Sequence, residues 1–462
     1  MGKKDNYGYL PQEKPEFGKL LLYAIQQVIV MFPATITVAL ITGFQVSTTI
    51  FASGLATLCF ILITGKKIPL YYGSSFAYLS AVASMAAAEG TAEQLAAFEA
   101  TKILPTELIS KAQFGIIMSG FVSIAAGLLV RKFGKDTIET ILPASITGPI
   151  SMIIGLTLAG NALGDAIPKE TGSYANAWVA CSLVTLLATI LYSRYLKGFL
   201  GQLPLLLGAA TGCVFAAVVY AVGGADMSLF RAIPDEALNS LWSAGPLAIP
   251  AFSLPKFSMA ALVGIMPIAI ATIPESTAHM YQLDIYVEDV AKKKGKKMDY
   301  SLIDMLDRNL IGDGLCDMIS GFVGGPAGTN YGENISTMAI TKVFSVPVLM
   351  VASVIAMVIS CFTPLIKAIY GIPLAVIGGL EIYLFGAIAA QGIAIMIDKK
   401  VDMFSSKNIA VIASIVIIGL GGQYAFGGNI PFFGMSIPCV AGASIFGIAL
   451  NALLSIGEKK EN

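Results

Sequence analysis

Two glutamates and one histidine carry most of the chemistry this sequence offers. Glu275 stands in the apolar stretch Pro267-Ile-Ala-Ile-Ala-Thr-Ile-Pro274-Glu275-Ser-Thr-Ala-His279. His279, the only histidine of the chain, follows four residues later and so shares its helical face. Glu333 opens a second apolar stretch at Tyr331-Gly332-Glu333-Asn334. A carboxyl group in such surroundings can accept hydrogen bonds from a neutral ligand, or hold and release a proton. Burial disfavours the charged form, so Glu275 is expected to take up a proton from the outer side, with His279 beside it. Two carboxylates beside one ligand also oppose joint ionisation, so they would titrate as a pair. Two plainer readings stay open: Glu275 as a carboxylate bonded between helices, and Glu333 as a helix N-cap. Tyr72, Phe76, Tyr331 and Phe385 offer aromatic faces for a planar ring, or simply packing.

Other polar groups are weaker candidates. Gln26, Gln27 and Glu381 lie in apolar runs, and Asp313 and Asp317 are expected to cap a short helix or line the cytoplasmic mouth. The six cysteines are scattered singly with no CxxC spacing and read as small apolar fillers. No metal cluster and no nucleophile with its base are legible, so neither a metal, another cofactor nor an enzymatic role is expected.

These groups need a membrane-embedded scaffold. The chain has 462 residues, 56% hydrophobic and 13% charged, with mean hydropathy +0.78, against roughly 25% charged for soluble domains. Crossing roughly 30 Å of hydrocarbon takes about 20 apolar residues. Runs of that kind fall near 18–43, 47–65, 69–88, 110–130, 138–162, 175–193, 199–222, 258–281, 310–325, 331–345, 347–369, 373–396, 408–424 and 432–455. An ionisable group at mid-membrane costs roughly 2.5 to 3.5 kcal/mol on insertion scales, so Glu275 and Glu333 each need a reason to be there.

Fourteen spans predict an all-α polytopic membrane protein with both termini on one side. That arrangement puts 23 of the 29 Lys and Arg residues on the cytoplasmic side, including Lys3, Lys4, Lys66, Lys67, Arg131, Lys132, Arg194, the Lys292–Lys297 run, Lys399, Lys400, Lys459 and Lys460. No cleavable leader is expected at the polar N-terminus. Zero net formal charge gives no reason to expect a nucleic-acid partner. The loop 88–107 is expected outside and partly helical.

Matching irregularities predict an internal repeat. Ile68-Pro69-Leu70-Tyr71-Tyr72-Gly73-Ser74-Ser75-Phe76 opens the third run, and Gly325-Pro326-Ala327-Gly328-Thr329-Asn330-Tyr331-Gly332 opens the tenth. Pro143 with Gly148 in the fifth run matches Pro373 with Gly378 in the twelfth. Two halves of seven spans follow, and because seven is odd the second is inverted. Extended backbone inside a bilayer must be bonded internally, so residues near Leu70–Gly73 and Asn330–Gly332 are expected to pair as short antiparallel strands. Each would lead into a half-helix whose N-terminal amides point to the centre.

The stretch Glu333-Asn334-Ile335-Ser336-Thr337-Met338-Ala339-Ile340-Thr341-Lys342 resembles the signature of the nucleobase-ascorbate transporter family, and Tyr331-Gly332-Glu333-Asn334 its uracil permease branch. Tyr72–Ala77, Thr147-Gly148-Pro149 and Arg308–Gly314 extend the resemblance over almost the whole chain. It implies proton-coupled uptake of a nucleobase, uracil first and a purine or xanthine second. An anion exchanger or channel of similar plan is the alternative from another class. The resemblance implies a core domain of 18–131 and 258–369, and a gate domain of 136–222 and 373–455. Segments 1–17 and 456–462 would be cytoplasmic tails.

Carried over by position, Glu275 and Glu333 would bind ring NH groups, and backbone amides around Phe76 and Gly332 would meet ring carbonyls. Phe76 and Tyr331 would pack on the ring, His279 would orient or help neutralise Glu275, and Ser75 and Phe385 would complete the substrate site. Inner-membrane location and a homodimer are also implied. Three departures stand out: Gln26-Gln27 where the family has Gln-His, Ser336 at the signature Gly, and Phe385 at a frequent Tyr.

Overall fold

A computed structural model describes residues 8–136, 138, 141–232, 245–433 and 435–456. Lys3, Lys4, Lys459 and Lys460 lie outside the described residues. In chain order the helices are α1 (Phe17–Thr42), α2 (Val46–Ile63), α3 (Leu79–Glu89), α4 (Ala92–Thr101), α5 (Thr106–Phe133), α6 (Ala144–Thr157), α7 (Ala159–Ala166), α8 (Ser173–Tyr195) and α9 (Pro204–Gly223). There follow α10 (Met259–Gly264), α11 (Ala269–Lys293), α12 (Leu306–Val323), α13 (Gly332–Thr341), α14 (Val346–Ile359), α15 (Thr363–Tyr370), α16 (Leu374–Asp398), α17 (Ser406–Phe426) and α18 (Cys439–Leu454).

Among the described residues, nine helical segments are long and apolar enough to cross a membrane: α1, α2, α5, α6 joined to α7, α8, α9, α10 joined to α11, α16 and α17. The remaining five expected spans are built from shorter or more polar helices. The third and tenth begin as strand. The ninth, α12, carries Asp307, Asp313 and Asp317. The eleventh breaks between α14 and α15, and the fourteenth begins as a β-hairpin.

The interrupted segments meet as expected, two residues from where the sequence put them. Tyr72–Ser74 (β1) pairs antiparallel with Gly328–Asn330 (β2), with Tyr72 opposite Asn330 and Ser74 opposite Gly328. Tyr331 N to Tyr71 O and Ser75 N to Ala327 O, each 2.9 Å, extend the ladder. The shift arises because α13 already starts at Gly332, leaving only the residues before it extended. Each tyrosine ring lies on the opposite glycine. A Cβ on Gly73 would come within 2.2 Å of the Tyr331 ring, and one on Gly328 within 2.3 Å of the Tyr72 ring. On its other edge Tyr72 bonds to α2, whose Ser53 and Thr57 hydroxyls donate to its carbonyl at 2.9 and 3.0 Å. A second hairpin, Asn429–Phe432 (β3) with Met435–Pro438 (β4), was not foreseen. Phe432 and Met435–Pro438 fall in the run 432–455 expected to form the last span, and Asn429–Pro431 precede it.

In a membrane interior helices associate by close packing of small residues rather than by burial from water. The most extensive pairing, α5 on α12, shows this at Gly120 and Gly314. A Cβ on either glycine would fall 2.3 Å from the other's carbonyl oxygen. The helix α2 joins α12 to β1, α1 and α14, and α1 packs on α14 and β1, while α16 packs with α6, α7, α8 and α9.

Ion pairs define two faces. On one, Arg131 pairs with Asp307 at 2.7 Å, Tyr300 donates to Lys67 O, and the N-terminal segment is strapped down. Glu13 binds Lys294 at 2.5 Å and Lys296 at 2.6 Å, Tyr9 N donates to Lys342 O, and Phe344 N donates to Tyr9 O. On the opposite face stand Lys102–Asp165 at 3.3 Å and Lys111–Glu89 at 3.1 Å. The loop 88–107 contains α4, closed by a capping box of Thr91 and Gln94.

Partial burial of Glu13 opposes its charge, but hydrogen bonds from Lys294, Lys296 and the Leu10 amide win and hold its carboxyl at about 2. A depressed acid stabilises the docked strap fully above the ordinary carboxylate range, and that stability is lost as pH falls through that range toward 2. Limited proteolysis of residues 8–16 should therefore accelerate on acidification below about pH 4. Glu13→Gln should be cleaved fast already at pH 7 with little further change.

Candidate functional site

A cavity of about 1050 Å³ lies between the strand crossing, α11, α6 and α16. Its wall includes Ser74, Phe76, Thr329, Asn330, Tyr331, Gly332 and Glu333 from the interrupted segments. Pro274, Glu275, His279 and Gln282 come from α11, Thr147 and Ser151 from α6, and Tyr383, Leu384 and Gln391 from α16. Lys399, Lys400 and Asp402 also line it, so it extends to the end of α16 that follows Gln391.

Glu275 and Glu333 thus share one chamber and lie within electrostatic reach of each other. Glu333 sits in the first turn of α13, whose N-cap residue, Tyr331, supplies no side-chain bond to the first amides. Gly332 allows a close approach: a Cβ there would lie 2.9 Å from His279 Nε2. Nδ1 of the same ring is buried without a hydrogen-bond partner among the described residues.

Tyr331 is held in place rather than loose. Its hydroxyl donates to Ser74 O at 3.1 Å and shares a 3.0 Å bond with Thr35, and its ring stacks near Tyr71 at 6.4 Å. Two expected residues are not in the wall. Ser75 is buried, its hydroxyl accepting from Ala77 N and its amide committed to Ala327 O. Phe385 is 2% exposed in an apolar cluster with Val38, Leu79 and Leu158, against which Phe76 packs.

Behind the wall lies a buried polar cluster whose role the sequence reading missed. Asp313 accepts from Asn330 Nδ2 at 3.0 Å, from Asn309 Nδ2 at 3.4 Å and from Ser276 Oγ. Asp317 accepts from Gly328 N at 2.8 Å and from the Tyr72 hydroxyl. Neither aspartate caps α12 or lines the mouth; both sit in its middle, facing the strands. Ser276 adjoins Glu275 and Asn330 adjoins Tyr331, so the cluster sets the positions of wall residues from behind. The available signal was the spacing: Asp313 and Asp317 are one helical turn apart and point the same way. Gln27, at the departure in the first span, accepts from Asn334 Nδ2 at 2.7 Å and so joins α1 to α13. Among the described residues no cluster of His, Cys, Asp and Glu could hold a metal.

Removing one member of such a cluster leaves its partners buried and unmatched, at about 1 to 3 kcal/mol. Asn330→Ala should therefore lower the melting temperature in detergent. It should also weaken ligand binding, although Asn334→Ala, away from the aspartates, should affect stability less.

The chain as a whole is similar to known proteins. The family described as Permease family matches residues 18–428. A uracil permease from Bacillus caldolyticus is 33% identical over 96% of this chain and 94% of its own length. A putative pyrimidine permease, RutG, from Escherichia coli is 34% identical over 96% of this chain and 91% of its own. Among solved structures, a murine Slc26a9 anion transporter in an inward-facing state superimposes with a TM-score of 0.64 at 15% identity, covering 99% of this chain and 72% of that one, and shares the fold alone. The chain is therefore a multi-pass membrane transporter rather than an enzyme, and it belongs to the permease family, the nucleobase-ascorbate transporters.

Proposed function

We propose that this protein is a proton-coupled nucleobase symporter whose first substrate is uracil. The observation that carries the reading is the meeting of Glu275 and Glu333 in one cavity beside the open N-terminus of α13. An uncharged pyrimidine presents adjacent NH donors and carbonyl acceptors on one edge. Carboxyl oxygens of Glu275 and Glu333 meet the donors, and the amides around Phe76 and Gly332 meet the acceptors. Phe76 and Tyr331 flank the ring. His279 orients Glu275, and the proton carried by the carboxyl pair couples the cycle to the gradient. Phe385 supports Phe76 from behind and does not touch the ring in this state. The similarity to permeases named for uracil and pyrimidine favours this substrate class over purines or xanthine.

In the same reading fourteen segments form two inverted sets of seven. Residues 18–131 with 258–369 form the core body, and 136–222 with 373–455 the gate body. Reciprocal packing supports this: Gly148, early in α6, meets Gly392 late in α16, while Gly378, early in α16, meets Ala166 at the end of α7. The face bearing Lys67, Arg131, Lys294 and both described chain ends is cytoplasmic. The cavity opens there, and transport proceeds by rocking one body against the other in the inner membrane, with lipid around the helices. A homodimer through the gate helices belongs to this reading.

Binding to purified protein of a panel of uracil, thymine, xanthine, guanine and adenine at pH 6 and pH 8 tests substrate and coupling together. Uracil should bind in preference, and a stronger response to xanthine would reverse the substrate order. In proteoliposomes Glu275→Gln should abolish accumulation against a gradient, and full accumulation by that variant contradicts the coupling role. Glu333→Ala should weaken uracil binding about 10- to 100-fold, the worth of one charge-assisted hydrogen bond.

A further inference from the structure

Opposite the open mouth, a cluster of charged groups joins the α4–α5 connection of the core body to α7 and α16 of the gate body, two bodies that the transport cycle must separate. Lys102, just after α4, reaches across to Asp165 in α7 at 3.3 Å, and both side chains are about three-quarters buried, at 27% and 22% exposure. Arg231 adds a second tie, donating to Thr101 O at 2.5 Å. Glu381 of α16 is 1% exposed, and its Oε2 has no hydrogen-bond partner among the described residues. It lies within electrostatic reach of both Asp165 and Lys102. One turn earlier on the same helix, a Cβ on Gly378 would come within 2.6 Å of the Asp165 carbonyl carbon, so α16 and α7 are in direct contact here.

We propose that Glu381, together with the Lys102–Asp165 ion pair, forms a proton-sensitive latch that keeps the far mouth shut while the cavity is open on the other side. This rests on the alternating-access reading above. Lys102 faces both carboxyl groups and Arg231 faces Asp165 as well, whereas Glu381 is buried with no partner for its Oε2, so the closed latch holds a proton on Glu381. Opening admits water; the O–H bond of the Glu381 carboxyl breaks, the proton passes to that water, and the carboxylate is left solvated. Closure reverses the transfer. Of the elements packed on this part of α16, α7 brings Asp165 and the α4–α5 connection brings Lys102. Neither α6 nor α9 brings a charge, and α8 carries its single one, Arg194, over Tyr195 at its far end. Arg231 faces Thr101, Tyr370 and Asp165. The latch is separate from the Glu275 and Glu333 site and gives the gate body a proton of its own.

Trp178 is a built-in reporter, because its indole donates to Asp165 O at 2.9 Å. In full-length protein carrying Trp242→Phe, Trp178 is the sole tryptophan. Its fluorescence should show a step on pH titration without any substrate, and Glu381→Gln should abolish that step. Asp165→Asn removes the competing negative charge, so Glu381 loses its proton more readily and the midpoint should move down by about one pH unit. Lys102→Met removes the favouring cation, and the midpoint should move up by a similar amount. Opposite shifts at two partly exposed positions are not expected of a merely structural contact, and they decide the matter even where Glu381→Gln does not fold. A step that is absent from the parent protein, persists in Glu381→Gln, or moves the same way in both surface variants overturns the latch. Because no ligand is involved, a protein that binds no nucleobase sinks the functional reading and leaves this test standing.

Discussion

Inside a bilayer every backbone amide and carbonyl must find a partner within the protein, and an unmet one costs several kcal/mol. The two interrupted segments obey this constraint by pairing with each other across the molecule. Once β1 and β2 are joined, Tyr331 and Gly332 must leave the ladder together and α13 must start beside it. The first amides of that helix then have no carbonyl of their own to meet. The cavity is therefore a consequence of how the chain solves its backbone problem, because the residues that end the extended stretches also face it.

A short ladder of three residue pairs in each strand cannot hold two helices in register by itself. The buried cluster around Asp313 and Asp317 supplies the rest, and it does so by gripping atoms that the strands leave available. Asp317 takes the Gly328 amide and the Tyr72 hydroxyl, one from each strand, while Asp313 takes the side chain of Asn330. A network of this sort is worth having only when nearly complete, since each unmatched member is expensive away from water. Its position explains why α12 is more polar than a lone span tolerates. The helix faces protein on several sides, with α5, α2 and β2 against it.

The sequence revealed the general plan because its strongest signals are compositional or local. Long apolar runs announce crossings, a Pro-rich break announces extended backbone, and two glutamates in apolar surroundings announce a site. The failures were questions of orientation and of where an element begins. Ser75 and Phe76 are neighbours, yet one is turned into a capping bond and the other into the cavity, a distinction set by the short 3-10 turn Phe76–Tyr78. Phe385 shares the α16 segment with Leu384, which reaches the wall while Phe385 does not. The expectation that Asp313 and Asp317 cap a helix end or line the mouth rests on a run starting near Leu310, whereas α12 starts four residues earlier, at Leu306. The β3–β4 hairpin was hidden because Phe432, Phe433 and Ile437 are as apolar as a helix would require.

The fold alone does not decide what is carried. A similar architecture serves a protein described as an anion transporter, and an open helix N-terminus facing a cavity is suited to negative charge. In this chain that same N-terminus carries Glu333 in its first turn, with Glu275 across the chamber. An anion entering would meet the helix dipole and two acidic groups together. A neutral ring with both donors and acceptors on its edge would meet no such conflict. In the proposed reading its carbonyls would take the amides and its NH groups the carboxyl oxygens. Selectivity between the two kinds of solute thus comes down to a few side chains placed where the backbone has been left unpaired.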